Sequence, residues 1–317
     1  MQKQKILVAG SLAYDHVMEY DGYFKDMLLP QKLDSLSVTF TSNSKKVHYG
    51  GTGGNIAYTL KLLGCDPLLV GVAGKDFDEY KKWLEDNGID ASSIVTNKEF
   101  YTASAYILTD KSLNQITMFQ IGAMGSAPHA IQIKDYADRA ITWAIIAPDD
   151  AARMVRLSQE CSEHKIKYIF DPAQQIGSLS PAQLLTAIGG AELLIANDYE
   201  AELLAKKLGI TREKLSTMTP CYIETHGDRG ASVRDYDGNY FVHAVKASNI
   251  VDPTGCGDAF RAGVLAGMEM NYGLEKSCKI GALAATYNLE NHGTQGHKFT
   301  WQEFKKRYEE NFGEELI

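Results

Sequence analysis

The span Asp252-Pro253-Thr254-Gly255-Cys256-Gly257-Asp258-Ala259-Phe260-Arg261-Ala262-Gly263 joins two glycines and a carboxylate to a run of small residues. Asp252-Pro253-Thr254-Gly255 has the composition of a sharp turn, fed by an extended stretch from Val242 to Val251. A helix is expected to start near Asp258, with Ala259, Ala262, Gly263, Ala266 and Gly267 letting its backbone approach a neighbour closely. The amides around Gly255, Cys256, Gly257 and Asp258 then lack intrahelical partners and, with the helix dipole, attract an anion such as phosphate. Asp258 opposes such an anion by its own charge, so its presence points to chemistry. A carboxylate there can accept a proton from a substrate hydroxyl while the amides hold the charge on a transferring phosphoryl group. General-base help of that kind is worth roughly 10²–10⁴-fold. The plainer alternative, Asp258 as an N-cap behind an ordinary turn, suits an isolated Asp-x-x-Gly better than this longer pattern.

Two phosphate motifs are excluded. Position 260 is Phe, so Gly255-Cys256-Gly257 lacks the third glycine of a dinucleotide fingerprint, and no Gly-x-x-x-x-Gly-Lys-Ser/Thr occurs. A second glycine cluster, Gly50-Gly51-Thr52-Gly53-Gly54-Asn55, precedes the expected helix Ile56–Leu63. Backbone can approach a ligand there, and the Asn55 carboxamide could bind vicinal hydroxyls; a hinge with Asn55 as cap is the structural alternative.

The elements that must position these groups are those of an α/β protein. Apolar runs at Ile6–Ala9, Pro67–Val72, Ala144–Ala147, Tyr168–Asp171, Leu193–Ala196 and Cys221–Thr225 alternate with helical patterns at Gly54–Leu63, Asp76–Asn87, Ala151–His164 and Asp198–Leu208. That alternation implies a mostly parallel sheet covered on both faces, with ligands beyond the carboxyl ends of its strands. Asp171, Gln174, Gln175, Asn197, Glu200 and Thr225 stand at those ends. Segments 14–49 and 101–119 instead alternate without helical period, as in Leu36-Ser37-Val38-Thr39-Phe40, and read as a small β appendage over the cleft. Its edges could also pair with a second copy of the chain.

At 317 residues with a net charge of −8, the chain is long enough for a large core and is no general binder of nucleic acid or membrane surfaces. The opening Met1-Gln2-Lys3-Gln4-Lys5-Ile6-Leu7-Val8-Ala9-Gly10 has too short an apolar run for a signal segment, and no stretch approaches the roughly 18 apolar residues of a membrane span. Five scattered cysteines without Cys-x-x-Cys spacing suit a reducing cytoplasm.

Together, Gly50–Gly64 with Val70-Gly71-Val72-Ala73-Gly74-Lys75-Asp76, and Asp252–Gly263 about 200 residues later, resemble the two signatures of the ribokinase-like (PfkB-type) carbohydrate and nucleoside kinases. The resemblance runs from about Ile6 to the C-terminal helix. It implies one kinase domain over 1–317, a three-layer α/β/α fold with a mostly parallel central sheet, and a β-sheet lid from 14–49 and 101–119. It also implies that Asp258 is the base and that Gly255, Cys256 and Gly257 belong to the anion hole. Asn197 and Glu200 resemble the motif that orders the water shell of Mg²⁺. Thr225, Gly227, Arg229 and Gly230 resemble the loop on the ATP phosphates, while the Leu283–Asn288 helix, with Asn288, and the 291–294 loop would wall the adenine pocket. Asp252 and Thr254 resemble positions near a monovalent-cation (K⁺) site.

On the acceptor side, Ser11, Asp15, Gly50, Gly51 and Asn55 would hold a ribose, since an aspartate beyond a strand end can receive two neighbouring hydroxyls. Phe40, Phe119, Met124 and Gln175 could wall a purine. Gly10–His16, Ser37 with Phe40, Gly122-Ala123-Met124, Asp171–Gln175 and Asn197-Asp198-Tyr199-Glu200 look most like bacterial adenosine kinases of the actinobacterial type. Ser104 and Ala105 stand where those kinases place an aromatic, and Tyr49 is a second departure. The implied reaction is ATP-dependent phosphorylation of the adenosine 5′-hydroxyl to AMP, a purine-salvage step. Ribose, fructose or another purine nucleoside are rival acceptors, and a silent nucleoside sensor is the rival from another class.

Overall fold

The computed structural model describes residues 4–28, 34–35, 37–112, 114–136 and 138–316. The ends of the expected domain, and residues 29–33, Leu36 and Leu113 of the expected lid, lie outside these. Along the chain, β1 (Lys5–Ala9) leads to β2 (Ala13–Tyr20), the one-turn α1 (Phe24–Met27) and β3 (Ser42–Gly50). Helix α2 (Thr52–Leu62), β4 (Pro67–Gly74), α3 (Asp78–Asp86) and β5 (Ile94–Asn97) follow. A hairpin of β6 (Ala103–Thr109) and β7 (Gln115–Gln120) precedes β8 (Ile141–Ile146). Then α4 (Ala151–Glu163), β9 (Lys167–Phe170), α5 (Pro181–Gly189), β10 (Leu193–Asn197), α6 (Asp198–Leu208), α7 (Arg212–Ser216) and β11 (Cys221–Thr225) alternate. The chain ends with the hairpin β12 (Gly230–Arg234) and β13 (Asn239–His243), and the helices α8 (Cys256–Glu269), α9 (Leu274–Leu289) and α10 (Trp301–Phe312).

The large sheet has the order β13-β12-β11-β10-β9-β8-β1-β4-β5. It is parallel from β11 to β5 and antiparallel only in the two strands at the β13 edge. Both faces are covered, which is why β4 is buried along its whole length. Successive residues of β1 enter opposite cores: Ile6 and Val8 pack with α2, α3, α8, α9 and α10, whereas Leu7 and Ala9 pack with α4 to α7. The result is the expected three-layer α/β/α fold. Chain order reverses between β1 and β8, so their carboxyl ends frame the crevice where such sheets bind ligands.

The smaller sheet has the order β3-β2-β6-β7, with parallel β2–β6 pairing between antiparallel outer pairs. It springs from the carboxyl end of β1 and stands over the crevice. Every residue of β7 is exposed. The alternation at 36–40 misleads: residues 37–40 form no strand, and Phe40 packs edge-on against Tyr20 and Phe24 (centroids 5.1 and 5.2 Å) rather than walling a purine. Two aromatic partners in a local cluster outweigh a short alternating pattern. Among the described residues, no helix is long and apolar enough to cross a membrane.

Candidate active site

Helix α8 begins two residues earlier than expected. Gly255 is its N-cap in the left-handed conformation (φ 82°), which a side chain would strain, and a Cβ there would meet Thr294 at 2.9 Å. Asp258 is therefore the third helical residue and not the cap. Its carboxylate makes no capping bond, and α8 has no side-chain cap at all, unlike α6, where Asn197 and Glu200 form a complete capping box. The Cys256 amide turns to the Pro253 carbonyl (3.3 Å), so the amides of Gly257 and Asp258 are the ones left at the uncapped turn. Burial pushes the Cys256 thiol up to about 12, which keeps it neutral and poorly nucleophilic.

Two cavities meet at this turn. The first, about 590 Å³, lies under the small sheet and includes Ser11, Asp15, Gly51, Asn55, Phe119, Met124, Gln175, Asn197, Glu200, Gly255 and Asp258 in its walls. The second, about 680 Å³ and largely apolar, lies between the β12–β13 hairpin and α9, where Val242, Val245, Ile250, Pro253, Phe260 and Leu289 line it. Gly257 and Thr225 belong to both walls. Asp258 thus stands where a group in one cavity can reach a group in the other.

The two glycine clusters are joined at this point. Asn55 Nδ2 donates to Asp258 Oδ2 at 2.8 Å, across 203 positions of sequence. The first cluster is seated by Ser11, whose Oγ accepts the Thr52 amide (3.1 Å) while Thr52 Oγ1 donates to the Pro148 carbonyl (3.0 Å). Gly51, at φ 84°, leaves no room for a Cβ, which would lie 2.5 Å from the Ser11 carbonyl oxygen. Asp15 faces the cavity from β2, and burial pushes its carboxyl up to about 6.

Burial likewise raises Asp258, to about 7, against the opposing pull of the Asn55 bond and the Arg261 charge. Arg261 is the group that sequence reasoning left without a role. Buried one turn along α8, it pairs with Asp171 through Nε (2.5 Å) and Nη2 (2.7 Å), donates from Nη1 to the Gly257 carbonyl (3.1 Å), and lies 3.9 Å from Glu200. Its signal was available: Arg261 is the one charge between Asp258 and Glu269 in an otherwise apolar helix. Burial raises the pKa values of Asp171 and Glu200 as well. One guanidinium therefore serves a cavity with four acids, Asp15, Asp171, Glu200 and Asp258, a balance suited to an incoming cation.

Several expected residues fall elsewhere. Gly50 lies behind the wall, its carbonyl accepting from the Tyr80 hydroxyl (2.9 Å). Ser37 is exposed and lines neither cavity. Gly227 and Gly230 line the second cavity, but Arg229 points away and sits 3.4 Å from Asp198. Asn197 lines the first cavity, not the second. Helix α9 walls the second cavity through Ala282, Ala285, Thr286 and Leu289, whereas Asn288 is fully buried and turned to the Gly293 and Thr294 carbonyls (3.4 and 3.5 Å). The 291–294 loop does not reach that cavity; Thr294 lines the first. Each Asp252 carboxylate oxygen takes one backbone amide, Thr254 at 2.9 Å and Gly293 at 3.1 Å.

A doubly covered parallel sheet with a smaller sheet over its switch point, and two cavities meeting at a carboxylate on a helix N-terminus, defines a ribokinase-like phosphotransferase acting on an alcohol acceptor. The family model described as pfkB family carbohydrate kinase matches residues 3–300, and the chain belongs to that family. It is 28% identical over 310 residues to a nucleoside kinase of Methanocaldococcus jannaschii, covering 97% of this chain and 98% of that one. Among solved structures, the nucleoside kinase of Burkholderia thailandensis in complex with inosine superposes with a TM-score of 0.87 at 32% identity, covering 98% of this chain and 99% of that one. The same enzyme in complex with ADP-inosine gives 0.84 at 33% identity, covering 98% and 97%. These relatives are named for nucleosides in general; their names do not single out adenosine.

Proposed function

We propose that the chain is an ATP-dependent purine nucleoside kinase that transfers the γ-phosphoryl group to the 5′-hydroxyl of adenosine. The observation that carries this reading is the meeting of the two cavities at Gly257 and Thr225, beside Asp258. The whole chain is read as one kinase domain, with the small sheet as its lid.

The acceptor lies in the first cavity. Asp15 receives ribose hydroxyls, Ser11 and Gly51 shape that wall, and Phe119, Met124 and Gln175 flank the base. ATP lies in the second cavity, its adenine on the apolar walls and its phosphates near Gly227, Gly230 and the start of α8. Asp258 takes the 5′-hydroxyl proton as that oxygen attacks phosphorus, and the amides of Gly257 and Asp258 hold charge on the transferring group. Asn55 stands in the same wall as the ribose ligands and also donates to Asp258. Closure of the lid excludes water as a competing acceptor.

Glu200 and Asn197 stand on the cavity wall, but Glu200 Oε2 and Asn197 Oδ1 each accept a backbone amide in the α6 cap, so they offer few direct ligands, which suits a Mg²⁺ that keeps most of its waters. When bound, the ion neutralises phosphate charge. Both Asp252 carboxylate oxygens accept backbone amides, from Thr254 and Gly293, so Asp252 braces the 291–294 loop. The exposed β7 edge supports a homodimer through the lid, tested by the mass in solution.

Inosine in the Burkholderia relative makes another purine nucleoside the main rival acceptor. Turnover with Mg-ATP against adenosine, inosine, cytidine, ribose and fructose tests the reading. Adenosine is expected to have the highest kcat/KM. Higher efficiency with inosine or ribose would reassign the acceptor, and no turnover with any of them would remove the kinase reading.

A further inference from the structure

The Asn55 carboxamide can face Asp258 in two ways that differ little in shape, and only one is useful. With Nδ2 toward the carboxylate it donates a hydrogen bond; turned over, Oδ1 would face Oδ2 of Asp258 and repel it. Hydrogen-bond partners decide between such orientations. Asn55 Oδ1 accepts from Nε2 of Gln295 at 3.1 Å. The same Nε2 donates to the Tyr80 hydroxyl at 2.6 Å, and that hydroxyl gives its own proton to the Gly50 carbonyl at 2.9 Å. Since a carbonyl only accepts, Tyr80 has only lone pairs left for Gln295. At the other end of the amide, Gln295 Oε1 takes the Trp83 indole N–H at 3.0 Å, a group that only donates.

Two one-way groups, Trp83 and the Gly50 carbonyl acting through Tyr80, thus impose the same orientation on Gln295, and Gln295 imposes it on Asn55. The junction is enclosed: Asn55 and Gln295 are each 4% exposed and Tyr80 is fully buried. Tyr49, the unexplained departure in the sequence, stacks on Tyr80 and Trp83 (4.7 and 5.5 Å) and holds both rings in place. Gly54 is required for the same reason, since a Cβ there would lie 1.9 Å from the Tyr80 hydroxyl and 3.0 Å from Gln295 Nε2.

We propose that Gln295, oriented by Trp83 and Tyr80, is a positioning residue for phosphoryl transfer: it sets the Asn55 carboxamide so that it donates to Asp258 and keeps the carboxylate ionised and aimed. The proposal rests on the reading of Asp258 as base. Around Asp258, Arg261 on the same helix favours the ionised form, Asp171 after β9 and Asp15 on β2 oppose it, and Tyr80 on α3 lies nearby. Gln295 carries none of these charges, so replacing it by a neutral residue isolates the orientation of Asn55.

The test compares Gln295→Met, which removes both the donor and the acceptor at similar volume, with Trp83→Phe, which removes only the indole donor, and with Asp258→Asn. The pH dependence of kcat and kcat/KM is measured for each variant that keeps Asp258, together with the titration of the Asp258 carboxyl by NMR in the ligand-free protein. Gln295→Met is expected to lower kcat by about tenfold while leaving acceptor KM within about twofold, and to move the acid limb and the Asp258 titration up by about one pH unit. Trp83→Phe is expected to shift both in the same direction by less, and it reads the same effect should Gln295→Met fold poorly. An unmoved acid limb and an unmoved titration overturn the proposal whatever happens to kcat, because a merely structural Gln295 would give that result. Wild-type turnover by Asp258→Asn removes the base assignment instead, and the carboxyl titration alone then decides whether Gln295 orients Asn55.

Discussion

At the scale of single residues, the site is an acid that burial holds partly protonated near neutrality, tuned by one amide and one guanidinium. A base must be ionised to act, so kcat/KM in the ligand-free reference state is expected to rise with pH through about 7, where Asp258 titrates. Asp258→Asn is expected to lower kcat by roughly 10²–10⁴-fold with acceptor KM little changed; a loss confined to KM would make Asp258 a binding group. Arg261→Met leaves Asp171 buried without its partner and is expected to cost about 3–5 kcal/mol of stability. Denaturant melts of Arg261→Met and of Arg261→Met with Asp171→Leu check this, since removing both charges should recover much of the loss. Asp258 was legible because its neighbours in sequence are its neighbours in the turn. Arg261 was visible as a lone charge but unreadable, because its partner Asp171 lies 90 positions away.

At the scale of elements, α8 carries Asp258 and Arg261, and α9 carries α8. A Cβ on Gly263 would lie 2.5 Å from the Gly281 Cα, so the two helices touch backbone to backbone. Gly263→Leu must push them apart and is expected to destabilise by about 1–3 kcal/mol or more in thermal or denaturant melts; an unchanged melt would mean that the helices are not held at this distance. Strands of the large sheet were legible as apolar runs because both faces are covered. The small sheet was legible as broken rhythm, but its details were not: 37–40 alternates like a strand, yet Phe40 is drawn into an aromatic cluster with Tyr20 and Phe24. Asn288 shows the same limit, since helical position alone does not tell which of α9's faces meets the second cavity.

At the scale of the whole molecule, the cleft is electrostatically unfavourable without its ligands. Asp15 and Asp258 have folded pKa values of about 6 and about 7, above the value near 4 of an unfolded aspartate. The folded protein therefore keeps protons that the unfolded chain has lost. Their contribution is most favourable below about pH 4 and declines as pH rises through about 7. The melting temperature of Asp258→Asn relative to the parent is expected to increase between pH 4 and pH 8; a constant difference would contradict the raised pKa. ADP with Mg²⁺ should raise the parent's melting temperature, by mass action on the folded state.

The sequence by itself determined the alternation that builds the sheet, the two glycine-rich turns, and Asp258 at a helix start, because each depends on residues within a few positions of one another. Only the tertiary structure decided that Asn55 serves Asp258, that Arg261 balances the acids, and that Gln295 orients the amide. Those roles are hydrogen bonds and ion pairs between side chains 90 to 240 positions apart, and their direction depends on which atoms the fold brings within about 3 Å.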